Sequence, residues 1–246
     1  MAILMGVPTG ALASESPKPH DPLNAPTFQQ QSTNWTSAQF QAYNAKLQEV
    51  QDLANGTASL GTQPNCIGCI PSSYYANMNV VYEGKADCMC GPATATEMFS
   101  TLTQYYNSPP YPYLTLSQVE AQMKITCSIG TYRYQLQNEM NNGSQHVNTY
   151  VWGDVANASA VHYDTSVDVG LGQYPVGYDG ETYSSRNGYP LDNYQGVNWD
   201  HYFPAYGYSP GYLYVADPHY AYDHHYTDEA VYLFIDNFPY ANQVLW

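Results

Sequence analysis

Cys90 is followed by Gly91 and Pro92, and then by Ala93, Ala95, Glu97 and Met98, good helix formers in a run unbroken before Tyr105-Tyr106. Proline suits the first turn of a helix, where its missing N–H would have no partner. Cys90 is therefore expected at or just before a helix N-terminus. Free N–H groups and the positive end of the helix dipole favour a thiolate over a thiol there. Gly91, without a Cβ, lets backbone and substrate come close beside the sulfur. The competing reading is a structural cysteine, and a base elsewhere in the chain has to decide between the two.

Residues 199–208 (WDHYFPAYGY) and 212–216 (YLYVA) read as two arms of a hairpin around Tyr208-Ser209-Pro210-Gly211. A turn centred near Ser209 sets His201 roughly opposite Asp217, directly or as a diagonal neighbour. Directly opposed residues of antiparallel strands have Cβ atoms about 4.5–5.5 Å apart. A carboxylate at that range accepts from a ring N–H, which fixes the tautomer of the histidine and supports its charged form. Singly, a histidine or an Asp-Pro at a strand end is ordinary turn chemistry. Together, Cys90, His201 and Asp217 have the residue types of nucleophilic acyl transfer.

A metal site is the main rival. Asp217, His219, Asp223, His224 and His225 form the densest run of potential ligands. Neighbouring residues of a strand point to opposite faces, so His224 and His225 are not expected on one ion. There is no His-Glu-x-x-His. Cys66 and Cys69 have the spacing of half a zinc site, but no second ligand pair completes it. Disulfides are the better reading of the cysteines. With Cys90 set aside, Cys66, Cys69, Cys88 and Cys127 are an even set with three connectivities open.

The elements that must position these groups follow in two blocks. Thr36-Ser37-Ala38-Gln39 has the pattern of a capping box, with Phe40, Tyr43, Leu47, Val50 and Leu53 at helical spacing before Gly56. This amphipathic helix packs on the main domain or serves as a prosegment over the groove. Residues 14–32 form a polar leader and 57–73 a cysteine-bearing linker. A short strand is expected at 78–82, a proline-broken loop at 107–113, a capped helix from Ser117 to about Ile125 and another at 132–140. Strand character then dominates at 146–152, 173–178, 199–208 and 212–216. Residues 230–238 fit a strand or a short buried helix. Helices first and strands later is an α+β order.

Composition excludes several classes of partner. The 246 residues carry 6 Lys plus Arg against 21 Asp plus Glu, a formal net charge of −15. Nucleic-acid backbones and anionic membranes both require clustered cations. The 27 tyrosines combine apolar area with a polar tip and suit a half-wet sheet. Residues 1–13 are apolar and end in Ala11-Leu12-Ala13, the remnant of a secretory signal. No other stretch is long and apolar enough for a membrane span. Export is the expectation.

Cys90-Gly91-Pro92-Ala93, then His201 followed by aromatics and Gly207-Tyr208, then Val215-Ala216-Asp217-Pro218 resemble the papain-like cysteine peptidases related to bacteriocin double-glycine-leader peptidases, in their secreted single-domain bacterial branch. The resemblance spans residues 78–246 and includes Gln173-Tyr174-Pro175-Val176 as the strand before the histidine. It implies Cys90 as nucleophile, His201 as general base and acid, and Asp217 as the residue that orients His201. It also implies an N-terminal helical half carrying the cysteine, packed on a C-terminal antiparallel sheet carrying the histidine and aspartate. One departure stands out. The family places a glutamine about six residues before its cysteine as an oxyanion donor, whereas here Gly84 falls near that place, within Tyr82-Glu83-Gly84-Lys85-Ala86-Asp87.

The resulting expectation is a signal remnant at 1–13, a leader, helix and linker at 14–73, and a papain-like catalytic domain at 74–246. The function expected is that of a secreted, monomeric cysteine peptidase acting on peptide or protein substrates. It would need no cofactor and no metal. The alternatives are a weak or inactive papain-like binding module and an amidase of cell-wall peptides.

Overall fold

A computed structural model describes residues 35–54, 70–84, 88–105, 114–127, 130–144, 148–183, 188–236 and 244–246. The leader, most of the linker with Cys66 and Cys69, and the loop at 107–113 lie outside these residues.

The first helix, α1 (Ser37–Ala54), starts at the expected capping box. The Thr36 N–H donates to Gln39 Oε1 at 2.6 Å, and the Gln39 N–H donates to Thr36 Oγ1 at 3.3 Å. Lys46 of α1 pairs with Asp168 at 3.0 Å, and Tyr43 lies against the core. A two-residue strand, β1 (Tyr74–Tyr75), follows. No strand forms at 78–82, contrary to expectation. That stretch is irregular because side chains of the next helix, α2 (Cys90–Tyr105), take its backbone N–H groups. Asn79 N–H donates to Ser100 Oγ at 2.8 Å and Val81 N–H to Glu97 Oε1 at 2.9 Å.

The N-cap of helix α3 (Leu116–Met123) lies two residues before the expected one. Thr115 is the N-cap, and its N–H donates to Gln118 Oε1 at 2.9 Å. Helix α4 (Arg133–Gly143) completes the helical half. Of the strand expected at 146–152, only β2 (Trp152–Gly153) forms among the described residues. Helix α5 (Ala158–Val167), which runs into a π-turn at Asp168–Gly172, has no counterpart in the sequence reading.

The remaining strands are β3 (Val176–Glu181), β4 (Asp200–Ser209), β5 (Tyr212–Asp217), β6 (Tyr222–Thr227) and β7 (Val244–Leu245). Between β6 and β7 lies α6 (Asp228–Asp236), which resolves the ambiguity over 230–238 in favour of a helix. The pairing is antiparallel throughout, in the order β2-β7-β3-β4-β5-β6, with β1 against the end of β4. One apolar cluster lies between this sheet and α5 and α6, centred on Tyr178, Phe203, Val215 and Phe234. A second lies under α2, where Cys90, Met98, Leu102, Leu136 and Met140 meet Tyr202 of the sheet. The fold is α+β, a helical half bearing Cys90 on an antiparallel sheet bearing His201 and Asp217. No described helix is long and apolar enough to cross a membrane.

The tyrosines do more than face a wet surface. Tyr150, Tyr178, Tyr194, Tyr202 and Tyr208 are fully buried. A buried hydroxyl needs a partner, and Tyr202 finds one in the Thr131 carbonyl at 3.2 Å, Tyr208 in that of Pro71 at 2.9 Å.

Candidate active site

Cys90 is the first residue of α2 and is buried. The Ala93 N–H already donates to the Met89 carbonyl at 2.9 Å, so the helix starts at the cysteine itself. The first N–H groups of any helix lack intrahelical acceptors. Cys90 is a free thiol, and Cys88 pairs with Cys127. That disulfide, one of the arrangements left open by the spacing, ties the approach to Cys90 to the residues after α3. Gly91 is needed for another reason than substrate access. A Cβ there would run into the side chain of Thr131.

His201 lies on β4, paired with Gly180 of β3. The β4–β5 turn is Pro210-Gly211, with Gly211 at φ 78°, a conformation glycine adopts freely. The register runs Ser209↔Tyr212, Tyr208↔Leu213, Gly207↔Tyr214 and then Ala205↔Val215, with Tyr206 as an extra residue on β4. Continued two residues further, that last pairing sets Asp217 across from Phe203. His201 and Asp217 are therefore diagonal neighbours rather than directly opposed. Diagonal neighbours are within reach of long or aromatic side chains, and His201 Nε2 meets Asp217 Oδ1 at 3.1 Å.

Tyr194, in a short 3-10 turn at Asp192–Tyr194, completes this arrangement. Its hydroxyl donates to Asp217 Oδ1 at 2.8 Å and Oδ2 at 2.9 Å. The carboxylate can only accept, so the tyrosine proton points to it, and Tyr194 Oη accepts from His201 Nε2–H at 2.8 Å. The His219 N–H also donates to Asp217 Oδ1, at 3.0 Å. With Nε2 committed, Nδ1 is the nitrogen left to face Cys90.

A further group at the sulfur has no counterpart in the sequence analysis. Glu83, not Gly84, presents a side chain there. One donor atom from each of Glu83, Cys90 and His201 lies within 4.8 Å of the other two, and all three residues are buried. Glu83 is held from both sides. Its N–H donates to the Pro218 carbonyl at 2.9 Å, and its Oε1 accepts from His219 Nδ1 at 2.8 Å. The only local signal was its position just outside the expected glutamine.

These contacts set the charges. Burial opposes the charged form of His201, but hydrogen bonds to Asp217 and Cys90 outweigh it and hold the imidazole well above its ordinary value. Burial likewise opposes the charge on Asp217, yet the bonds from His201, Tyr194 and the His219 N–H keep its carboxyl below the usual range. Burial pushes the Cys90 thiol up, Glu83 adds to this, and His201 and the Tyr202 N–H offset only part of it. A thiol lowered by the helix terminus was expected. The enclosed position and the nearby carboxylate reverse that direction.

The rival run of metal ligands does not converge on one point among the described residues. Asp217 serves His201, His219 serves Glu83, and the ring of His225 stands against Tyr214 with centroids 4.1 Å apart. His224 is buried and His225 exposed, the alternation a strand requires. Among the described residues, the three groups close enough to share an ion are Glu83, Cys90 and His201.

No protein-family model matches the chain. No curated protein sequence matches it. Among solved structures it is similar to the peptidase domain of Streptococcus ComA, a bi-functional ABC transporter involved in a quorum sensing pathway. There the identity is 14% over 70% of this chain and 97% of that one, with a TM-score of 0.41. It is also similar to a C39-like peptidase from Bacillus anthracis, at 12% identity over 69% of this chain and 96% of that one, with a TM-score of 0.45. At these identities the likeness is one of fold.

Proposed function

We propose that the chain is an exported cysteine peptidase that hydrolyses peptide bonds through Cys90, His201 and Asp217. The observation that carries this reading is the order of contacts: a free cysteine at a helix start, a histidine beside it, and a buried carboxylate 3.1 Å from the far nitrogen of that histidine. Cys90 Sγ attacks the scissile carbonyl carbon, and its proton passes to His201. The tetrahedral oxyanion is stabilised by the backbone N–H of Cys90 at the start of α2. His201 then protonates the leaving amine, and the C–N bond breaks to leave a thioester. Water, deprotonated by His201, attacks the thioester and frees the acid and the thiol. Asp217 and Tyr194 keep the ring turned and its charged form supported throughout.

The test pairs Cys90→Ala with hydrolysis of a peptide library by the full chain. Cleavage by the wild type and none by the variant supports the reading. Full cleavage by Cys90→Ala overturns it. One observation favours the second reading, a binding module that has lost turnover: the thiol is raised rather than lowered, with a carboxylate beside it. Alkylation by iodoacetamide separates the two. A peptidase loses reactivity at Cys90 when His201→Ala removes the base, whereas an unactivated thiol reacts alike in both proteins.

A further inference from the structure

Glu83, Cys90 and His201 offer a carboxylate oxygen, a sulfur and an imidazole nitrogen to one point in space. We propose that these three residues form a site for a single borderline-soft divalent ion, Zn²⁺ foremost, and that its binding reversibly blocks the nucleophile. The inference rests on the peptidase reading only for that consequence.

The chemistry of the set selects the ion. Thiolate and imidazole disfavour Mg²⁺ and Ca²⁺, which take oxygen, and with one carboxylate they match zinc. Zinc bonds of about 2.0–2.3 Å place ligand atoms roughly 3.3–3.8 Å apart in a tetrahedron. The three donor atoms lie within 4.8 Å of one another, so side-chain rotation of about 1 Å closes the set. Three protein ligands leave the fourth position to water.

The surroundings fit the same assignment. A histidine that binds zinc generally gives its other N–H to a carboxylate, and a liganding carboxylate is itself hydrogen-bonded. His201 gives Nε2–H to Asp217 and Tyr194, leaving Nδ1 for the ion. Glu83 Oε1 accepts from His219 Nδ1 at 2.8 Å, leaving the second oxygen for the ion. Glu83 cannot drift away, because its segment is pinned to α2 through Val81 and Glu97. The Cys90–His201 pair alone is a two-ligand set. Glu83 turns it into a site.

Co²⁺, a spectroscopic stand-in for zinc, is titrated into the full chain. The expected result is one ion per chain with sulfur-to-cobalt absorption in the near ultraviolet, lost in Cys90→Ser and displaced by Zn²⁺. Cys66 and Cys69 remain in that variant, so the loss assigns the band. Glu83→Gln should bind at least tenfold more weakly, and His219→Ala, which leaves every ligand in place, about 10–100-fold more weakly. His219→Ala decides the matter if Glu83→Gln fails to fold. The absence of the band in the wild type, or unchanged affinity in the folded variants, overturns the proposal. A chain that binds the ion but hydrolyses nothing even after a chelator has stripped it would leave the site standing and remove the peptidase reading. An active chain without the band would do the reverse.

Discussion

The hydroxyl of Tyr194 lies 2.8 Å from Nε2 of His201 and donates its own proton to Asp217. The N–H of His201 is thus shared between an aspartate and a tyrosine, and the ring has two anchors in place of one. Losing the hydroxyl removes one bond to the imidazolium and two to a fully buried carboxylate. Leaving a buried charged group short of a partner costs about 1–3 kcal/mol. Tyr194→Phe should therefore lower Tm and reduce kcat about tenfold with little change in KM, measured on a cleaved peptide. Unchanged kcat with the same fall in Tm would show that Tyr194 only supports the fold.

Asp217 is the stronger anchor. Asp217→Asn keeps the shape but puts an N–H or a neutral oxygen where the ring needs a carboxylate, so the wrong tautomer becomes favourable. The equivalent change in a serine peptidase costs about 10⁴ in kcat. A loss of 10³–10⁴ is expected here, with circular dichroism and Tm near wild type. A loss under tenfold would remove Asp217 from the positioning role.

The parts of this site differ in how legible they were. Cys90 was readable because helix-start chemistry is local: Gly, Pro and alanines in six residues. His201 and Asp217 were readable because a Pro-Gly turn between aromatic arms is a strong hairpin signal. The exact register was not legible, since the turn sits at Pro210-Gly211 rather than around Ser209 and Tyr206 is an extra residue on β4. The pair survives because a diagonal contact still bridges them. Glu83 and Tyr194 were not readable. One sits in an irregular segment whose position is set by Glu97 and Ser100 of a helix further along the chain. The other is one tyrosine among 27. Strand β6 was hidden by its charged and histidine residues, which suggest ligands rather than an edge strand. Helix α5 has β-branched and polar residues and no clean apolar stripe.

Glu139 makes stability depend on pH. Burial in α4 raises its carboxyl to about 7. The unfolded chain holds the same group near 4.3, so between these values the folded state binds the extra proton. Its contribution is fully present below about 4.3 and is lost as pH rises through 7. Wild-type Tm should fall between pH 5 and pH 8, and Glu139→Gln, which cannot ionise, should flatten that slope. Equal slopes in thermal scans of the two proteins would show that Glu139 is not the group responsible.

Gly180 links the sheet to the site from behind. It pairs with His201 across β3 and β4, and the backbone of α6 rests on it. A Cβ at this position would stand 2.5 Å from the Phe234 carbonyl oxygen, which is backbone and cannot rotate away. Gly180→Ala must push α6 off the sheet or shift β3, and β3 carries the partner of His201. Overpacking of this kind costs about 1–3 kcal/mol. Gly207 offers a comparison, because a Cβ there would meet the Tyr74 carbonyl at 2.8 Å, at the other end of β4. Both variants should lose stability in denaturant titrations. At temperatures where both are folded, Gly180→Ala should also lose peptide hydrolysis, while Gly207→Ala keeps it. Equal activity in the two would mean that the place of His201 does not depend on the strand beside it.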